Sequence, residues 1–293
     1  MKRFLFLIFL MFSLFVRANN FLMKQYFDKY SLKYTCYERY QLKQYEGTDV
    51  HHLIALPDNY SEQKKMPVLF ELTGNKWTYG NGTVEEAHFA LSLCLKRDFI
   101  VVVVPYISTS GKENQVLWWG DEKLTVSYLK DLIKSISSSY NVDMDNLFLC
   151  GFSRGAIGVS YIGLYDDEIA SYWKGFISHD HFDGFREWKN TTWGTPYEKY
   201  RASAIKRLSR VHGREWYVSY NGIDKQSYQD SLKSMGVENK GQFSYQPINV
   251  TFRFPHIPNS YFKSAHTDLW PAFDLPESRN VRNWLNKMLD SGI

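Results

Sequence analysis

The sequence predicts an α/β protein with a mostly parallel central sheet and helices on both faces. Three observations carry that expectation. Residues 99–105 (Phe-Ile-Val-Val-Val-Val-Pro) form a continuous β-branched run, the pattern of a parallel strand covered on both sides. Apolar runs of strand length alternate along the chain with segments of helical spacing. Around Ser153 the sequence reads Asn-Leu-Phe-Leu-Cys-Gly-Phe-Ser-Arg-Gly-Ala-Ile-Gly: a short apolar run, a tight G-x-S-x-G turn, then a helix-capable segment. In that setting the serine occupies a strained backbone conformation, and its neighbours two residues away must be small for the chain to pass. The turn lifts the Ser153 hydroxyl above the sheet edge. It also aims the next backbone N–H, that of Arg154, at a carbonyl under attack.

Taken in order, residues 34–45 and 50–56 read as an opening antiparallel pair, followed by a Pro57-Asp58-Asn59 turn. Residues 67–72 are a buried strand leading into Thr73-Gly74-Asn75, and 84–96 have helical spacing. After the strand at 99–105, residues 124–140 are helical and 141–145 form a polar turn into the serine strand. Beyond the serine, residues 173–177 are the next strand, ending in Ser178-His-Asp-His-Phe-Asp-Gly184. The polar and aromatic stretch 187–210 belongs to a candidate cap or pocket insertion at about 182–212. A strand at 215–220 ends at Asn221-Gly-Ile-Asp224, a helix follows at 227–235, a final strand at 250–254 and a C-terminal helix at 276–289. With no repeat or low-complexity linker, residues 19–293 are expected to form a single domain.

The first residues read as a secretory signal. Lys2 and Arg3 precede an apolar run from Phe4 to Phe15, too short to span a bilayer comfortably, and Val16-Arg17-Ala18 suits signal peptidase. Residues 1–18 are therefore expected to be removed, leaving a secreted (extracellular or periplasmic) protein with no membrane association; an uncleaved anchor is the alternative. Setting aside Lys2, Arg3 and Arg17 brings the formal charge from +4 to +1, and nothing points to nucleic acid. Of Cys36, Cys94 and Cys150, the last is most simply a core residue, and spacing names no disulfide. Asn59, Asn81, Asn190 and Asn249 open N-glycosylation sequons, relevant only in a eukaryotic host.

The strand phrase 67–75, the serine phrase 141–156 and Ala265-His-Thr-Asp-Leu-Trp270 together resemble the α/β-hydrolase superfamily. Within it the chain is similar to the secreted serine esterases that include feruloyl esterases and polyhydroxyalkanoate depolymerases. The likeness runs from about Tyr34 to the C-terminus. One departure is clear: the family often has His-Gly after the third strand, and here it is Thr73-Gly74. The oxyanion loop is therefore expected to differ in shape, while still donating through backbone N–H groups.

A serine hydroxyl needs an imidazole to take its proton. The superfamily order of serine, acid, histidine implies His266 as the base, with His256 the competitor. Asp224 is the expected acid, with Asp183 or Asp180 as runner-up; Asp268 lies too close in sequence to His266. Arg154 and Asn75 are the expected oxyanion donors. His179, His181 and Asp183 resemble a metal cluster at first sight but are read as a substrate-facing polar loop, with no metal or other cofactor. Trp77, Trp118, Trp119, His181 and Trp270 lie beyond strand C-termini, where open α/β sheets bind ligands, and are candidate substrate contacts. These residues imply a serine hydrolase acting on a small-molecule or carbohydrate-linked carboxylic ester. A serine peptidase on the same site and a binding protein without turnover are the other readings. If the signal is cleaved as expected, N-terminal sequencing of the exported protein begins at Asn19; a sequence beginning at Met1, or retention in the membrane, refutes the assignment.

Overall fold

The computed structural model describes residues 37–94, 99–222, 225–249 and 264–290. The expected leader, Cys36, Asp224, His256 and the strand expected at 250–254 lie outside them. Among the described residues the sheet has eight strands: β1 (Glu38–Tyr40), β2 (His52–Ala55), β3 (Met66–Leu72), β4 (Ile100–Val104), β5 (Val142–Phe152), β6 (Gly175–His179), β7 (Glu215–Asn221) and β8 (Gln242–Ile248). Their spatial order is β1-β2-β4-β3-β5-β6-β7-β8. β1 and β2 pair antiparallel, β2 runs antiparallel to β4, and every other pairing is parallel.

The sheet holds together because its central strands are apolar on both faces. Val68, Phe70 and Leu72 of β3 pack into one core layer with Ile100, Val102 and Val104 of β4 and Leu147 and Leu149 of β5. Leu69, Val101, Phe148 and Cys150, one residue out of phase, pack into the other. This is the two-residue period of a strand buried on both sides.

Helices cover each layer. The helix Glu122–Ser139 begins where the Asp121 carboxylate accepts the Leu124 N–H at 2.9 Å. It buries Thr125, Val126, Tyr128, Leu129, Leu132, Ile133 and Ile136, a stripe at helical spacing. On the opposite layer, Val281 and Leu285 of Pro276–Asp290 pack with Phe89 and Leu93 of Phe89–Leu93. Each such side chain contributes roughly 1.5–3 kcal/mol when fully buried.

Four elements differ from expectation. The polar turn expected at 141–145 is, from Val142 on, the start of β5, and of the strand expected over 34–45 only Glu38–Tyr40 is strand among the described residues. The helix expected over 84–96 is a 3₁₀ turn, Val84–Glu86, followed by the short helix Phe89–Leu93. The break has a cause in β3. Glu71, 1% exposed, accepts the N–H groups of Phe89 (3.2 Å) and Ala90 (2.7 Å), so the helix starts on that carboxyl. The eighth strand, Gln242–Ile248, precedes the one the sequence suggested. Among the described residues it is an edge strand, only partly buried, with polar residues and a proline, so apolar content did not announce it.

At the end of β5 the backbone of Ser153 adopts φ 56° and ψ −118°. The glycines on either side permit this. A Cβ on Gly155 would lie 1.9 Å from the Leu72 carbonyl oxygen, and one on Gly151 would lie 2.2 Å from the Gly155 carbonyl carbon. Both obstacles are backbone, so neither yields cheaply. Gly155→Ala is expected to lower stability by about 1–3 kcal/mol, read as a fall in the urea midpoint. An unchanged midpoint would show that the helix Arg154–Tyr161, which holds Gly155, and β3 can separate without cost.

Candidate active site

Strand ends build the site. Ser153 follows β5, and the Ser153 N–H donates to the carbonyl of His179, the last residue of β6, at 3.0 Å. The next residue, Asp180, turns the chain with φ 71°. That left-handed conformation is one an aspartate tolerates better than most residues. Its N–H donates to Ser219 O at 3.0 Å, and its Oδ1 accepts the Asn221 N–H at 2.7 Å, both on β7.

His266 stands between these two residues. Its Nδ1 lies 2.8 Å from Asp180 Oδ2 and its Nε2 lies 2.9 Å from Ser153 Oγ. A carboxylate only accepts, so Nδ1 carries the proton and the bare Nε2 accepts the serine hydroxyl. The carboxylate bonded to His266 is Asp180; Asp224, the first choice in the sequence, lies outside the described residues. Asp180 was the alternative to Asp224 in the sequence, and it occupies the nitrogen that Asp224 was expected to orient. Burial alone would raise the pKa of Asp180. The imidazoles of His179 and His266 and the bond from Asn221 overcome that and hold it below the usual carboxylate range. Asp183 is engaged elsewhere: it accepts from Arg207 at 2.9 and 3.1 Å and from Tyr200 OH at 2.8 Å, anchoring the helix Tyr197–Leu208.

The Arg154 side chain is the group that the sequence reading missed. It is 1% exposed, and among the described residues no carboxylate pairs with it. Its guanidinium donates to Thr73 O (3.3 Å), Thr73 Oγ1 (2.8 Å), Gln115 O (3.3 Å), Trp118 O (2.7 Å) and Gly82 O (3.4 Å), and lies 4.1 Å over the Tyr106 ring. Burial lowers its pKa to about 10, so it remains charged at neutral pH. The threonine that replaces the family's histidine is therefore an acceptor in this clamp. Asn75 joins the same assembly through its side chain, whose Oδ1 accepts the Trp118 N–H at 2.7 Å. Among the described residues the backbone N–H groups of Arg154 and Asn75 have no hydrogen-bond acceptor.

His179 and His181 point apart, because the turn at Asp180 breaks the strand alternation. His179 is fully buried. Its Nε2 donates to Thr267 O at 3.1 Å, its Nδ1 faces Ser219 Oγ at 3.0 Å, and its ring stacks on Phe89 and Phe152. Burial, against the pull of Asp180, lowers its pKa and keeps it neutral. His181 instead faces the site, its ring centroid 5.3 Å from that of His266. Among the described residues no three His, Cys, Asp or Glu side chains are placed to hold a metal ion.

The five candidate substrate contacts separate. Trp77 is 40% exposed and stands edge-on to His266 with ring centroids 5.5 Å apart. His181 lines a cavity that reaches His266. Trp118 is half-buried in a cluster with Trp188 and Trp193. Trp119 and Trp270 correct the expectation. They are 3% and 0% exposed, Trp119 stacked on Tyr161 and Trp270 against Phe89 and His179, so both are packing residues.

Two cavities meet at His266. One, of about 220 Å³, is bounded by Gly74, Asn75, Trp77, Phe152 and His266. The other, of about 440 Å³, is bounded by Asp180, His181, Arg186, Trp188, Tyr228 and His266.

The parallel sheet, the serine turn and the chain order of its partners are those of the α/β-hydrolase fold. The family model described as "Putative esterase" matches residues 44–267, and the chain belongs to that family. Solved structures agree in fold. A thermostable esterase is similar at 12% identity and TM-score 0.52, the match covering 87% of this chain and 64% of that one. An S-formylglutathione hydrolase from Agrobacterium tumefaciens is similar at 14% identity and TM-score 0.52, covering 87% and 94%. TT1662 from Thermus thermophilus is similar at 14% identity and TM-score 0.53, covering 87% and 99%. Comparison with the curated proteins found no match.

Replacing Arg154 with methionine would leave five acceptors without their donor, three in buried contacts and two in part-buried ones. Each buried polar group left unsatisfied costs about 1–3 kcal/mol, so Arg154→Met is expected to lose several kcal/mol of stability, measured by denaturant unfolding. A variant as stable as the parent would mean that the clamp is not structural.

Proposed function

We propose that the protein is a secreted serine esterase in which Ser153 is the nucleophile, His266 the base and Asp180 the orienting acid. The observation that carries the reading is His266 bonded on one side to Ser153 Oγ and on the other to Asp180. Ser153 Oγ attacks the ester carbonyl carbon as its proton passes to His266 Nε2. The carbonyl oxygen takes up the negative charge, and the unpaired N–H groups of Arg154 and Asn75 bind it. The carbon–oxygen bond to the alcohol then breaks, and the leaving oxygen takes the proton from His266. Water, deprotonated by the same nitrogen, releases the acid and restores Ser153. Asp180 keeps the proton of His266 on Nδ1 throughout and stabilises the transient imidazolium.

The substrate is proposed to be a short-chain or aromatic ester, free or carried on a carbohydrate, rather than a long-chain lipid. Two modest cavities flanked by Trp77, Tyr79 and Trp188 suit flat groups. Export rests on the N-terminal segment alone.

A fluorophosphonate probe is expected to label Ser153. Asp180→Asn should lower kcat on p-nitrophenyl acetate by roughly 10⁴-fold, by analogy with the serine protease template. Asp183→Asn should act mainly on stability, through Arg207. A healthy Asp180→Asn enzyme beside a crippled Asp224→Asn enzyme would return the acid to Asp224. Activity that climbs steadily with acyl chain length, without turnover of methyl ferulate or acetylated sugar, would refute the substrate class.

A further inference from the structure

The larger cavity beside His266 contains a cation that the esterase chemistry does not use. Arg186 follows β6 by a few residues. Its guanidinium lies 4.1 Å over the Trp188 ring, and Nη2 donates to His181 Nε2 at 3.2 Å. Both contacts hold the guanidinium in place without neutralising it. Trp188 offers a π face, and His181 accepts a hydrogen bond as an uncharged ring. Burial, then the charge of Arg186, pushes the His181 pKa down to about 3.

Arg201 also has only neutral acceptors among the described residues, Tyr197 OH and Ser234 Oγ, but it does not line this cavity, and several other arginines are used differently. Arg207, Arg210 and Arg279 each pair with a carboxylate. Arg154 and Arg214 are satisfied by backbone carbonyls and bind parts of the fold together. Arg186 has one neutral acceptor, and among the described residues no carboxylate pairs with it. It also lines the cavity that Asp180 and His266 line. His181 bridges the two, its ring against both Trp188 and His266. The remaining walls, Phe185 and Tyr228 among them, are flat and largely apolar.

We propose that this cavity is an acid-recognising subsite: Arg186 binds a carboxylate on the substrate while the ester lies at Ser153. The proposal rests on the esterase reading and names its substrate class, an ester that also bears a carboxylic acid. A planar guanidinium fork matches a carboxylate, and stacking on Trp188 orders it before the ligand arrives. The carboxylate can lie on the acyl side or on the alcohol side of the ester, and the test separates these.

The acyl arm compares p-nitrophenyl hemiadipate with p-nitrophenyl hexanoate. The alcohol arm compares 4-acetoxybenzoate with 4-acetoxybenzamide. All rates are taken net of those of the Ser153→Ala protein. In one arm the acid is expected to exceed its neutral partner in kcat/KM by roughly 10- to 100-fold, the range of a charge-assisted hydrogen bond. In Arg186→Gln that ratio should fall at least tenfold, Arg186→Lys should restore part of it, and added salt should shrink it. The ratio is internal to each protein, so partial loss of folded enzyme does not affect it. Ratios near one in both arms of the wild type, or a preference that survives Arg186→Gln, would overturn the proposal. Absence of all turnover, or turnover that survives Ser153→Ala, would instead overturn the esterase reading.

Discussion

The hydrogen bond from the Ser153 N–H to the His179 carbonyl, 3.0 Å long, ties the strained turn to the strand that delivers Asp180. From there the bracing continues along the C-terminal edge of the sheet. The Asp180 N–H donates to Ser219 O, and the Asn221 N–H returns to Asp180 Oδ1. The Asn221 side chain reaches on to Ala265 O, immediately before His266. Ser153, Asp180 and His266 are far apart in sequence, yet backbone groups of the next strand fix the first two and the Asn221 side chain holds the loop of the third. A residue at φ 56° persists only where its surroundings over-determine it, and this chain of bonds together with the Gly151 and Gly155 contacts supplies that constraint.

The same edge carries an unusual load of buried polar groups. Arg154 is charged and dry, yet each partner is a carbonyl or hydroxyl oxygen, so its desolvation is offset by many bonds rather than by one ion pair. It draws the loop after β3 and the loop holding Trp118 against the helix Arg154–Tyr161 that follows Ser153. On the opposite face, burial and the nearby Asp268 carry the pKa of Glu71 up to about 8, against the pull of the Ala90 and Phe89 N–H groups. Asp268 is raised as well, by burial, although its Oδ2 accepts the His88 N–H at 3.1 Å. These carboxyls start a helix and pin the loop that carries His266. They brace the machinery from beneath and do not touch the reacting atoms.

What the sequence made legible follows from how local each signal is. The parallel sheet, the serine turn, the helix at 122–139 and the pairing of His266 with Ser153 were readable because period, turn chemistry and chain order are local. The choice of acid was not. Asp180 and Asp224 each follow a strand end in the sequence, and what brings Asp180 to the imidazole is its left-handed turn with its bonds to β7, which no local pattern records. Trp119 and Trp270 were misjudged for a related reason. A tryptophan beyond a strand end can face the ligand or the core, and the sequence does not record which way the loop folds. The Arg154 side chain was overlooked because the motif assigns that position a backbone role. The apolar run before it and the glycines after it hinted that the whole residue would be buried.

Charge around His266 is arranged in a sequence with a physical consequence. His179, beneath it, is kept neutral by burial, and His181, beside it, by burial and by Arg186. In the proposed mechanism His266 takes the serine proton; Asp180 is then the close compensating charge, and its lowered pKa keeps it ionised. Arg186 is a second cation, separated from His266 by the uncharged ring of His181. With the cavity empty of anions, that cation opposes the growing imidazolium charge, by an amount that solvent at the exposed guanidinium reduces. A carboxylate bound at Arg186 would cancel this opposition at the moment His266 becomes positive. Substrate recognition and proton transfer would then be linked through one electrostatic field. An acidic substrate would gain in the transition state as well as in binding, which is the condition for a contact to raise kcat and not only lower KM.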